Sequence, residues 1–225
     1  MSQVLITEDI LSNIAESIRG KEGTSSKIVV SDMASRISNL SINTTELSEE
    51  DKYIMRIITS FSDEDLTIIA PYSFFSCNLL TSVSLPKVTQ IYFNAFQECS
   101  SLISVDLPLT TLLGACAFQN CISLTSVNLP KSLYCEAYSF YGCTSLTSIS
   151  LPETTTLKEH SFTNCTSLTS ISLPKVTTID GAYIFKGDSA LQEIHFGSAN
   201  QATIEANTNY SSKWSATNAT IYFDL

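Results

Sequence analysis

The chain has 225 residues, 12 basic against 22 acidic, a formal net charge of −10, and 44% hydrophobic with 15% charged side chains. That is long and apolar enough for one large or two small domains with a core. The acidity argues against nucleic acid or an anionic membrane as partner, since both need a basic surface, and no basic arm relieves it: 6 basic face 12 acidic residues up to Asp65 and 6 face 10 beyond it.

The opening MSQVLITEDI lacks the charged-then-apolar order of a secretory signal. No apolar run reaches the ~20 residues of a membrane span. The expectation is a soluble product that starts in a cytoplasm, with no membrane insertion. Residues 1–42 read as a two-helix module. Thr7 can cap the first helix, with Glu8 and Asp9 in its first turn, where acids complement the helix dipole. Ile10, Leu11, Ile14, Ala15 and Ile18 share one face. Gly20 can stop it, and Ser31 can cap a second helix with Met33, Ile37 and Leu40 on one side. Two such helices bury little alone. Residues 1–40 are therefore expected to pair with sister chains or to dock on another component. A DNA-reading helix pair is disfavoured by the absence of a basic second helix.

After a linker, residues 46–65 read as a helical cap. Ser48 opens it, and Tyr53, Ile54, Ile57, Ile58 and Phe61 form its apolar face. A solenoid needs such an end piece, because its terminal turn exposes apolar side chains.

From residue 66 to 197 one phrase recurs. CNLLTSVSLP, CSSLISVDLP, CISLTSVNLP, CTSLTSISLP and CTSLTSISLP begin at Cys77, Cys99, Cys121, Cys143 and Cys165, 22 residues apart, and a degraded copy, DSALQEIHFG, begins one residue late at Asp188. A period of this size is the signature of a solenoid. Within each copy, L-x-x-[VI]-x-L places the Val or Ile and the second Leu on one face of a short strand. Further rungs follow at Ile91, Leu113, Cys135, Leu157 and Ile179, and at Phe74, Phe96, Phe118, Phe140 and Phe162, with Phe185 displaced by one. The five phrase cysteines form a column of small buried hydrophobes. Rungs ~5 Å apart leave a disulfide open on distance, but a reducing compartment and an odd total favour free thiols. Zinc ligands come in short pairs, which a 22-residue column does not supply. Residues 198–225 read as the second cap. It has a short helix near Ala199–Ala206, a plug at Trp214 and a final strand over Ala219–Asp224.

The AFxxCxSLxSVxLP combination, with I-x4-F before it, resembles the BspA-like (Treponema-type) leucine-rich repeats. The resemblance implies a β-rich leucine-rich-repeat solenoid of ~22-residue repeats and an extracellular adhesion or ligand-binding role; no cofactor is expected. Gly114 keeps that family's Gly after the aliphatic rung, whereas Tyr92, Glu136, Lys158 and Asp180 replace it elsewhere. Residues 6–37 resemble a module at the start of structural proteins of phages and prophages of gut Firmicutes, through Ile14, Ala15, Ile18, Arg19, Lys21, Gly23 and Thr24. Residues 199–225 resemble the closing segment of the same proteins. Together these imply a virion component made in the host cytoplasm without a signal. A BspA-like cell-surface adhesin and an intracellular protein-binding scaffold are the alternatives.

No HExxH, GxSxG or phosphate-cradling loop is present, so a non-enzymatic protein is expected, with neither catalytic nor metal-binding residues. His160 and His195 fall in different repeats and read as solvated polar residues. The candidate binding residues are the outward strand positions Ser82, Ser84, Ser104, Asp106, Ser126, Asn128, Ser148, Ser150, Ser170, Ser172, Glu193 and His195. Tyr92 and Tyr138 join them from the variable stretch before the Phe rung. Solenoids commonly bind through their sheet. Yet small hydroxyls lack the usual Trp, Tyr or Arg anchors, and the same positions would serve as a solvated ladder supporting the sheet. The expected partner is a protein or glycan on a host surface.

Overall fold

The computed structural model describes residues 58–216 and 218–225. The two-helix module of 1–42 and most of the helical cap of 46–65 lie outside them. The described chain is a parallel β-solenoid. Eight strands line one side: β1 (Ser60–Ser62), β3 (Ser82–Ser84), β5 (Ser104–Asp106), β7 (Ser126–Asn128), β9 (Ser148–Ser150), β11 (Ser170–Leu173), β13 (Glu193–Phe196) and β14 (Thr220–Phe223). Six line a second side: β2 (Ile68–Ile69), β4 (Gln90–Ile91), β6 (Leu112–Leu113), β8 (Tyr134–Cys135), β10 (Thr156–Lys158) and β12 (Thr178–Asp180).

Register follows the repeat without slippage. Val83 pairs with Val105 and Val105 with Val127, while Ile69 pairs with Ile91 and Ile91 with Leu113. Past the inserted residue, Ile171 still pairs with Ile194, so the extra residue is absorbed in the turns and not in the strand. Both ladders are interrupted at one level, between β7 and β9 on the first side and between β6 and β8 on the second. Val127, in β7, is only half-buried, unlike its counterparts Val83, Val105, Ile149 and Ile171.

The core is a set of columns. Phe74, Phe96, Phe118, Phe140, Phe162 and Phe185 are buried and stack in sequence, with centroids 4.7, 5.2, 5.6, 5.4 and 5.9 Å apart. The cysteine column is buried beside it, and all seven cysteines are free thiols. The thiols have a polar task as well as a packing one. Cys99, Cys121, Cys143 and Cys165 each donate from Sγ to the carbonyl of the Phe 25 residues earlier, at 3.0 to 3.2 Å. Each of these carbonyls also accepts the backbone N–H of the Cys three residues on, so the thiol supplies a second donor to it, which a purely apolar residue of the same size would not.

Five successive turns bend twice through the left-handed region, at positions four apart, and the next keeps the second bend only. Tyr72, Asn94, Cys116, Tyr138 and His160 hold the first bend (φ 56 to 61°), and Ser76, Glu98, Asn120, Gly142, Asn164 and Gly187 hold the second (φ 56 to 84°). Gly114 answers a different need. A Cβ there would lie 2.6 Å from both Tyr92 C and Phe93 N, so the chain passes the preceding turn too closely for a side chain.

The helix expected through Phe61 differs from the structure at its end. Residues 60–62 are β1, paired with β3 so that Phe61 faces Val83. Phe61 and Ile58, three apart, suit one helix face equally well, but they occupy the inward positions of an additional repeat, 22 residues before Val83 and Leu80. At the other end the repeat gives way to short helical turns and a last strand. A 3-10 turn (Ser198–Asn200), helix α1 (Gln201–Glu205) and a 3-10 helix (Tyr210–Ser215) lead to β14. Trp214 is fully buried, edge-on to Phe196, with Nε1 donating to Asn207 Oδ1 at 2.9 Å.

Candidate functional site

The strand alternation that buries Val83 turns its neighbours outward. Ser82, Ser84, Ser104, Asp106, Ser126, Asn128, Ser148, Ser150 and Glu193 are exposed, and Ser170, Ser172 and His195 are half-buried on the same side. In-register pairing sets Ser82 beside Ser104 and Ser126, and Ser84 beside Asp106 and Asn128. A shallow hollow of about 490 Å³ lies over β1, β3, β5 and β7, lined by these residues together with Ser60, Phe61 and Ser62. The row from β1 was hidden by the helical reading of that stretch. Its signal was Ser-Phe-Ser at 60–62, one period before Ser-Val-Ser at 82–84.

Neighbouring hydroxyls differ in what they do. Thr81, Thr125 and Thr169 each donate to the carbonyl of the preceding turn, at 2.8, 3.1 and 3.4 Å. Thr89, Thr111 and Thr155 repeat this on the second side at 3.2 to 3.3 Å. These Thr columns stitch the solenoid to itself. The hydroxyls of Ser82, Ser84, Ser104, Ser126, Ser148, Ser150, Ser170 and Ser172 form no hydrogen bond within the described residues. Asn128 Nδ2 donates to Asp106 Oδ1 at 2.7 Å, which orients both over the hollow. The outward positions of this side hold Asp106 and Glu193 and carry neither Lys nor Arg.

Neither histidine is the solvated residue expected. His195 Nδ1 lies 2.9 Å from Asp224 Oδ1, its Nε2 lies 3.4 Å from Glu193 Oε2, and its ring stacks on Tyr222 at 4.7 Å. The hydrogen bond to the Asp224 carboxylate holds its pKa above the usual imidazole value. β14 pairs beside β13 in register, which sets His195 against Tyr222 and brings Asp224 within reach. His160 stacks between Tyr138 and Tyr183, at 4.7 and 5.4 Å, with Nδ1 3.1 Å from Thr163 Oγ1. The structure thus divides the candidates. The Ser, Asp106, Asn128, Glu193 and His195 positions share one side. Tyr92, whose hydroxyl meets Gln90 Oε1 at 3.0 Å, and Tyr138 follow β4 and β8 and belong to the turns beyond the second side.

A described chain of repeated strands, with Leu, Val or Ile, Phe and Cys in register, is a leucine-rich-repeat solenoid. Residues 52–135 and 111–221 match the BspA type leucine rich repeat region, a family described by six copies of the repeat, and the chain belongs to that family. Two solved structures share the fold. A leucine rich cell surface protein from Faecalibacterium prausnitzii A2-165 is 22% identical with a TM-score of 0.50, over 75% of this chain and 52% of its own. The T. pallidum leucine rich repeat protein is 20% identical with a TM-score of 0.54, over 80% of this chain and 78% of its own. The chain thus spans about half the length of the F. prausnitzii protein. No curated protein matches its sequence.

Proposed function

We propose that the protein is a non-enzymatic recognition module that binds a protein partner through the side formed by β1, β3, β5, β7 and the strands beyond. One observation carries this. The Thr hydroxyls are engaged inside the solenoid, whereas the hydroxyls of Ser82, Ser84, Ser104 and Ser126 over the hollow form no hydrogen bond within the described residues and stand in register, available to a ligand's backbone or side-chain groups. Acidic residues without basic ones favour a neutral or cationic partner surface. Binding of the labelled full chain to whole cells tests the reading. Ser104→Arg with Ser126→Arg fills the hollow and should abolish binding with the melting temperature kept. Unchanged binding by that variant would remove the sheet from consideration.

The finer reading concerns where the module is displayed. The adhesion role implied by the repeat family supports a cell surface. The resemblance of residues 6–37 and 199–225 to phage structural proteins supports a virion, with residues 1–40 joining sister chains or another virion component. Immunogold labelling of producing cells and of released particles separates the two. Label on particles alone supports the virion, and label on cell envelopes alone overturns it.

A further inference from the structure

The aromatic stack on the turns is closed at one end and open at the other. Lys186 Nζ lies 5.1 Å from the Tyr183 ring centre, Tyr183 covers one face of His160, and Tyr138 covers the other. Tyr138 and His160 are within 14° of parallel, so the second face of Tyr138 looks along the stack toward the preceding turn. The residue in register there is Cys116, half-buried and far smaller than a ring. Next comes the Asn94 turn, where the exposed ring of Phe93 lies edge-on to Tyr72 with centres 5.4 Å apart, so aromatics return there. The aromatic row is therefore missing a ring at the Cys116 turn, which leaves a notch about one rung (~5 Å) long in front of the Tyr138 face.

The rim of the notch carries a free amide. Gln119 N–H donates to Cys116 O at 3.2 Å, which fixes Gln119 on the Cys116 turn. The equivalent residue one turn on is Tyr141, whose ring centre is 5.7 Å from that of Tyr138, so this position's side chain stands beside the column. The Gln119 amide is half-buried and forms no hydrogen bond within the described residues. One turn earlier, Gln97 is already engaged by Asn94 Nδ2.

The geometry points to a carbohydrate seat at this notch, formed by the Tyr138 face and the Gln119 amide, for one terminal hexopyranose of a neutral glycan. The C–H face of a pyranose carries partial positive charge and meets the negative face of an aromatic ring. A primary amide can donate to one ring hydroxyl and accept from its neighbour. A net charge of −10 disfavours nucleotides and acidic sugars as the stacked ring. The seat is separate from the sheet surface, and it stands whether or not that surface binds protein.

Saturation-transfer NMR on the full chain with maltotriose, cellotriose and chitotriose at millimolar concentration tests it. At least one trisaccharide should receive transfer, concentrated on the C–H protons of one terminal ring. Tyr138→Asn keeps a residue suited to the left-handed bend and removes the ring face, so binding should fall about tenfold. Tyr138→Phe should bind as the parent does, Gln119→Ala should bind more weakly, and Ser104→Arg should leave transfer unchanged. Absence of transfer to all three sugars overturns the proposal. So does equal transfer in Tyr138→Asn and Gln119→Ala, or displacement of the sugar by Ser104→Arg. Should Tyr138→Asn fail to fold, the Gln119→Ala comparison decides alone.

Discussion

Asp188 stands where five earlier repeats place Cys, and it should be the most destabilising single residue of the solenoid at neutral pH. It is buried, Oδ1 accepts from Cys165 N–H at 2.7 Å, and Oδ2 has no hydrogen-bond partner. Burial pushes its pKa up from 3.8 to about 8. At pH 7 the folded chain must therefore hold a proton that the unfolded chain has released. At about 1.4 kcal/mol per pH unit, the gap from 3.8 to 7 amounts to at most roughly 4 kcal/mol. Asp188→Asn keeps the shape and the acceptor for Cys165 and removes the ionisation. It should stabilise the protein at pH 7 by about 2–4 kcal/mol, raising the melting temperature by roughly 5–15 °C for a solenoid of this size. The sign is distinctive. A raised carboxyl pKa contributes stability that is fully present below 3.8 and is lost as pH rises toward 8. Thermal melts of parent and variant between pH 4 and 8 should meet at the acid end and diverge steadily above it. Parallel profiles, or a variant less stable at every pH, would falsify the placement of this carboxyl in an apolar core.

A second titration bears on the closing strand. His195 has its pKa raised by Asp224, so its contribution is present below 6.5 and lost as pH rises through the higher folded value. His195→Gln should flatten the pH dependence of β14 amide exchange above that point and leave the Asp188 region unchanged. Phe118→Ala opens the middle of the Phe stack, between rings 5.2 and 5.6 Å away, and should cost ~3–5 kcal/mol in chemical denaturation. A cost near 1 kcal/mol would mean that the stack collapses around the gap. Thiol labelling of the native protein should modify Cys116 alone at a measurable rate, because Cys116 is only half-buried whereas the other six are buried and closed to reagent. Rapid labelling of a second thiol would show that the cysteine column opens.

A solenoid whose strands stack in parallel and in register places residue n beside residue n + 22, so aligning this sequence with itself yields its contacts directly. That determined the repeat, the Phe and Cys columns and the outward Ser rows. Four features depended on the tertiary structure. Ile58 and Phe61 are three residues apart, a spacing common to a helix face and to this repeat's inward positions, and only pairing with β3 made Phe61 strand. His195 is engaged because Asp224, 29 residues later, comes to lie beside it. His160 belongs to a ring stack because the inserted residue before Asp188 moves Tyr183 into the place that strict periodicity would assign to Ala182. The cysteine column is legible as apolar filler, but the Phe carbonyls that accept from Cys99, Cys121, Cys143 and Cys165 are not, since composition shows size and polarity but not direction. Periodicity determines which residues are neighbours. The backbone bends between the strands decide which way those neighbours face, and the candidate binding surfaces lie there.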